Sequence, residues 1–140
     1  MEEVLETGRV LYMRKATGQW MRNSEEELSS AEILLSNGKY RGACYHSQQC
    51  VEKCLKALIL EKGEKPEKTH DILQLLNHAA DQNWKVGLSV DEAIFMNSIY
   101  KGRYHSEEGL LPHGEPTEID ARRTVESARR SLEVARQSLY

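Results

Sequence analysis

Residues 103–117 read RYHSEEGLLPHGEPT, and several of these side chains could handle a phosphate group. Arg103 offers a planar guanidinium fork that fits two phosphate oxygens at once. His105 carries an imidazole that titrates near neutral pH and can take or give a proton. Tyr104 lies between them, and His113 follows between Pro112 and Gly114. Each also has a plainer role. Arg103 would tie the loop to a helix end, Tyr104 would pack as a lid, and His113 would face solvent in a turn. A second set lies upstream, where Gln48, Gln49, Glu52, Lys53 and Lys56 form a polar band on one predicted helix. Glu52 and Lys56 stand four apart with the acid first, the favourable order for a pair along a helix. In the functional reading Glu52 orients Arg103 across the fold, and the lysines lend positive potential to a cleft. A dimer face or a solvated stripe would explain the same band.

Other residues invite chemistry and are better explained without it. His70 beside Asp71 suggests catalysis, but Thr69 as an N-cap and Asp71 at the positive end of a helix dipole explain the tripeptide. Cys44, Cys50 and Cys54 lie within eleven residues with no second Cys/His pair at zinc spacing, so they read as small buried residues. No metal site and no cofactor is expected. The glycines at 102, 109 and 114 sit in no strand-to-helix context, so no phosphate loop is present. Arg122, Arg129 and Arg136 recur every seven residues beside Arg123 and Arg130. Such a stripe could touch RNA phosphates, but with Glu126 and Glu133 nearby it reads as a solvated face.

These groups need a scaffold, and apolar residues recurring at threes and fours supply helices. The first runs from about Trp20 to Ser36, with Leu28, Ala31, Ile33, Leu34 and Leu35 inward, and stops at Asn37-Gly38. The second runs from about Tyr40 to Lys62. Cys44, Val51, Leu55, Leu58 and Ile59 form one face, and Ala43, Ser47, Cys50, Cys54 and Ala57 the next. So wide an arc is packed on more than one side, which places this helix at the centre. Gly63 and Pro66 break it. A third helix carries Ile72, Leu75, Leu76 and Ala79. A fourth runs from about Val90 to Lys101, capped by Ser89, with Ala93, Ile94, Phe95 and Ile99 inward. The last opens at Thr117 and turns Ile119, Ala121, Val125, Ala128, Leu132, Ala135 and Leu139 inward. Residues 1–19 read as an N-terminal extension, with a short helix broken at Gly8 and punctuation at Gly18. Residues 20–140 form the bundle. The expected fold is all-α, an antiparallel up-and-down bundle of four main helices plus a short extra helix.

The totals agree with a single domain. In 140 residues, 39% are hydrophobic and 29% charged, enough for a core without staples. The net charge of −3 supplies no general field for nucleic acid, so any such contact must be local. No run is long enough to span a bilayer, and the acidic N-terminus is not a secretory signal. A cytoplasmic setting with no membrane contact is expected.

Taken in order, Trp20 with Ala31, NGKYRGACYHSQQCVEKCLKALIL, KTHDILQLL, RYH and GEPTEIDARRTVESA resemble the HEPN domain. That name stands for a nucleotide-binding domain of higher eukaryotes and prokaryotes, and the resemblance covers about Trp20 to Leu139. It implies a helical bundle that often forms a homodimer. Many stand-alone prokaryotic members are encoded beside a minimal nucleotidyltransferase in toxin–antitoxin-like pairs. A subset are metal-independent ribonucleases with an Arg and a His separated by four to six residues before the final loop. This chain departs from that spacing. From Arg103 the histidine would fall on Glu108, Gly109 or Leu110. Arg41 and His46 meet the spacing, but at the start of the second helix. The expectation is a nucleotide- or RNA-binding module, a homodimer acting with a minimal nucleotidyltransferase partner. Arg103, Tyr104, Lys56, Glu52 and His113 would line its cleft. The alternatives are an atypical ribonuclease using Arg103 and His105 on a ribose 2′-hydroxyl, and a non-catalytic interaction protein.

Overall fold

The computed structural model describes the backbone of residues 7–105 and 114–140, and the side chains of residues 14–99 and 114–140. Its helices are α1 (Thr7–Ser36), α2 (Tyr40–Glu61), α3 (Ile72–Asp81), α4 (Val90–His105) and α5 (Glu118–Leu139). Side-chain pairs give their directions. Ser24 meets Cys50 and Thr17 meets Glu61, so α1 and α2 are antiparallel. Tyr40 meets Glu118 and Cys54 meets the Ser131 carbonyl, so α2 and α5 are parallel. Gly87 meets Arg130 while Phe95 lies under Arg123, so α4 opposes α5. The four long helices therefore alternate in direction. The ten-residue α3 is the extra element. It runs parallel to α2, with His70 against Glu52 and Gln82 against Ile59, because connection 62–71 carries the chain back.

Helix α2 is the axis, with all four other helices packed on it. Between Ala43 and Ile59 only Tyr45, His46 and Lys53 escape full burial. Helices α2 and α5 are diagonal in the alternating order yet touch, because small residues line the seam. The Thr124 hydroxyl meets Cys44 Sγ at 3.5 Å, and Cys54 Sγ meets the Ser131 carbonyl at 3.6 Å. Ala43, Ala121, Ala128 and Ala135 are fully or almost fully buried with them. Burial pushes the thiols of Cys44 and Cys50 up to about 11 and that of Cys54 further still. They are inert packing residues.

Local chemistry sets the ends of the elements. Gly38 takes φ +71°, and Lys39 N–H returns to the Leu34 carbonyl at 2.8 Å, which closes α1. The last carbonyls of α2 lack intrahelical donors, and two side chains beyond α3 serve them. Trp84 Nε1 donates to the Leu58 carbonyl at 2.8 Å, and Gln82 Nε2 to the Ile59 carbonyl at 3.1 Å. Ser89 with Glu92 and Thr117 with Asp120 form reciprocal caps on α4 and α5.

Several expectations are corrected. Gly8 and Gly18 do not interrupt α1, which is continuous from Thr7. A helical glycine costs about 1 kcal/mol relative to alanine, and burial of Thr17, Met21 and Ser24 offsets it. Ile33, Ile94 and Ile119 are 61%, 50% and 76% exposed, not inward. Their neighbours Ala31, Ala93 and Ala121 occupy the core, and the helical turn carries the isoleucines off that face. Asp71, not Thr69, caps α3. Its carboxylate accepts from Gln74 N–H at 3.1 Å, and the Thr69 hydroxyl accepts from Asp71 N–H. Among the described residues, no helix is long and apolar enough to cross a membrane.

Candidate functional site

The polar band of α2 divides between two sides of the helix. Lys53 turns to α1, where its Nζ lies 2.5 Å from Glu27, and His46 Nδ1 holds the other Glu27 oxygen at 2.6 Å. Burial presses the Glu27 pKa upward, but Lys53 and His46 outweigh it and leave the carboxyl below its usual range. Arg41, the other half of the arginine–histidine spacing, is instead paired with Glu115. That coincidence of spacing builds no site.

Glu52 and Lys56 lie on a more deeply buried part of the helix. Glu52 is 4% exposed, and its carboxylate has three partners. Lys56 Nζ lies at 3.1 Å, His70 Nδ1 at 2.8 Å and Gln49 Nε2 at 3.4 Å. Lys56 is itself buried, with its ammonium 5.7 Å from the centre of the Trp20 ring. Gln48 donates to the His70 carbonyl at 3.1 Å and accepts from Gln49 at 2.8 Å. A buried charge persists only when paired and hydrogen-bonded, and here Glu52 and Lys56 each have a partner outside α2, His70 for the carboxylate and Trp20 for the ammonium.

Helix α4 closes this region through Asn97. Its amide donates to Asp71 at 2.8 Å and accepts from Ile72 N–H at 2.9 Å, next to His70. From Asn97 the helix continues to His105 and carries the Arg103 backbone about 9 Å further along its axis. Arg103, Tyr104 and His105 thus occupy the last turn of α4, with their side chains outside the described atoms. His113 lies outside the described residues. Lys56 and Glu52 are brought together; the expected Glu52–Arg103 contact lies outside the described atoms. His70, in a tripeptide that the pattern explained by capping at Thr69 and Asp71, is seated on Glu52. Nothing in linear spacing links positions 52 and 70. The link depends on the course of connection 62–71.

The arginine stripe of α5 is spoken for. Arg129 reaches Glu32 and Glu126 at 2.7 and 2.9 Å, and Arg136 reaches Glu25 at 3.3 Å. Arg122 holds Glu118 at 2.7 Å, Arg130 pairs with Glu92, and Arg123 lies over Phe95 at 4.6 Å. Among the described residues, no three His, Cys, Asp or Glu side chains converge as a metal site.

A family model described as HEPN domain matches residues 17–138. The crystal structure of ST0689, described as an archaeal HEPN homologue, superposes with a TM-score of 0.69 at 30% identity, covering 89% of this chain and 98% of that one. TT1696 from Thermus thermophilus also gives 0.69, at 26% identity over 86% of this chain and 96% of that one. A Methanocaldococcus jannaschii protein named "Putative toxin MJ1304" is 43% identical over 44 residues. That match takes in 31% of this chain and 29% of that protein's length.

Proposed function

The chain belongs to the HEPN family, and from that premise we propose that it is a toxin-like module that binds RNA or a nucleotide beside Glu52, with a minimal nucleotidyltransferase as its partner. The toxin-named relative supports the toxin-like role. The observation that carries the binding site is the buried Glu52–Lys56 pair with His70 on its rim. Apolar residues of similar volume would pack this position as well or better. A charged pair kept there beside a half-exposed imidazole therefore speaks for recognition. In this reading Arg103, Tyr104, His105 and His113 take part in the site, and Lys56 supplies positive potential. Residues 20–140 are the working unit, with 1–19 as an extension. Two copies pair in the cytoplasm so that their α4 ends share one cleft.

The test is anisotropy of a labelled single-stranded RNA and calorimetry with AMP. Micromolar binding that weakens at least tenfold in Arg103→Ala is expected. An absence of binding at millimolar protein would overturn the reading. Sedimentation at micromolar concentration should return twice the mass of the chain.

A second reading, metal-independent RNA cleavage, is favoured by one contact. An imidazole oriented by a buried carboxylate is the arrangement that moves protons in hydrolytic sites.

A further inference from the structure

We propose that the cavity at the end of the bundle where α2 and α5 finish is a binding site for a free α-amino acid with an apolar side chain. It lies apart from Glu52, since Glu61 is nine residues further along α2, about 13 Å on the helix axis. Arg14, Thr17, Glu61, Leu139 and Tyr140 line a space of about 300 Å³. That is the lower end of the range for small-molecule sites, roughly 300–1,000 Å³.

Four features fix the chemistry of the occupant. First, α2 and α5 are parallel, so both bring their carbonyl ends to this end of the bundle, at Glu61 and Leu139. Each such end is equivalent to about half a negative charge, and the Glu61 carboxylate adds its own. This side of the cavity favours an ammonium group. Second, Glu61 is already oriented. Thr17, 3% exposed, donates its hydroxyl to one carboxylate oxygen at 3.1 Å. The other oxygen has no hydrogen bond or ion pair among the described residues. Third, Arg14 is exposed one turn before Thr17, on the same side of α1. Among the described residues its guanidinium meets no carboxylate, although Glu61 lines the same cavity. Opposite charges that share a cavity without pairing leave room between them for a ligand of both signs. An α-amino acid is such a ligand, with its ammonium on Glu61 and its carboxylate on the guanidinium fork. Fourth, the remaining lining is large and apolar in body. Leu139 packs partly buried against the core, and Tyr140 is 82% exposed. A ligand side chain laid there covers apolar surface otherwise left to water. A simple amine would meet the repulsion of Arg14, and a simple acid that of Glu61 and the helix ends.

The experiment is calorimetry with L-leucine as the probe, with L-leucinamide and N-acetyl-L-leucine in parallel. The first analogue lacks the carboxylate and the second lacks the ammonium. Wild type should bind leucine saturably at millimolar concentration or below. Each analogue should bind wild type roughly tenfold or more weakly than leucine does, the effect of one lost charged hydrogen bond. Arg14→Ala and Glu61→Gln should each weaken leucine binding by the same factor. Both variants should keep the wild-type unfolding midpoint, because Arg14 has no partner to lose and the glutamine amide retains an oxygen for Thr17. If neither leucine nor phenylalanine binds at tens of millimolar, the cavity is not an amino-acid site. If leucinamide binds as tightly as leucine, the cavity takes a cation and the assignment of a zwitterion fails. If both variants bind leucine like wild type, the amino acid sits elsewhere and the assignment of this cavity fails.

Discussion

Glu52 exchanges its hydration for Lys56, His70 and Gln49, so deleting it removes three bonds and strands an ammonium in the bundle. Glu52→Ala should therefore destabilise the fold by about 3 kcal/mol, the cost of breaking a buried pair from one side. Glu52→Met with Lys56→Met should recover most of that loss, as urea unfolding of the two variants will measure. The thiols obey the same logic of burial. With Cys44 and Cys50 pushed up to about 11 and Cys54 higher, a thiol reagent at pH 8 should label none of them in the native state and all three in urea. At this scale the sequence was partly legible. The i, i+4 spacing disclosed the Glu52–Lys56 pair, and the odd, closely set cysteines disclosed their packing role. His70 was not legible, because its partner is eighteen positions away across a connection without periodicity.

Connection 62–71 decides where His70 stands, and it is latched to α3. The His78 ring lies between Glu67 at 2.6 Å and Glu64 at 2.7 Å. Glu67 first, then Glu64, raise His78 above its usual 6.5, and His78 lowers both carboxyls below 4.5. The stabilisation from His78 is complete below about pH 6.5 and fades as pH rises through its higher folded value. That from the two glutamates is complete above about pH 4.5 and fades as pH falls through their lowered folded values. The latch is thus fullest between roughly pH 4.5 and 6.5. The stability advantage of wild type over His78→Gln should shrink between pH 6 and pH 8 in urea titrations. At the next connection, a Cβ on Gly87 would lie 2.8 Å from both the Arg130 carbonyl and a Val134 methyl. Gly87→Ala should lose about 1–3 kcal/mol through overpacking against α5, read as a lower thermal midpoint. Turn chemistry disclosed the cap at Gly38 and the starts at Ser89 and Thr117. It did not disclose the latch, whose members lie eleven and fourteen residues apart.

Across the whole molecule, the periodicity of five segments was enough to foresee the bundle and the central place of α2. The length of α1 was hidden, since two glycines and a polar stretch conceal a helix that tertiary burial sustains. The return course of the chain before α3 was hidden as well, because a sequence shows where a helix stops but not which way its successor points. One consequence follows from α2 having occupied neighbours on every side. Inserting a single residue at its midpoint would rotate everything beyond by about 100°. Cys54 would leave the α5 seam and Lys56 would leave Trp20. An added residue in the Lys65–Lys68 stretch should cost no more than the His78 latch it disturbs, whereas one after Gln49 should give a chain that aggregates on expression. Changes of length belong in the connections, and the middle helix has a fixed count.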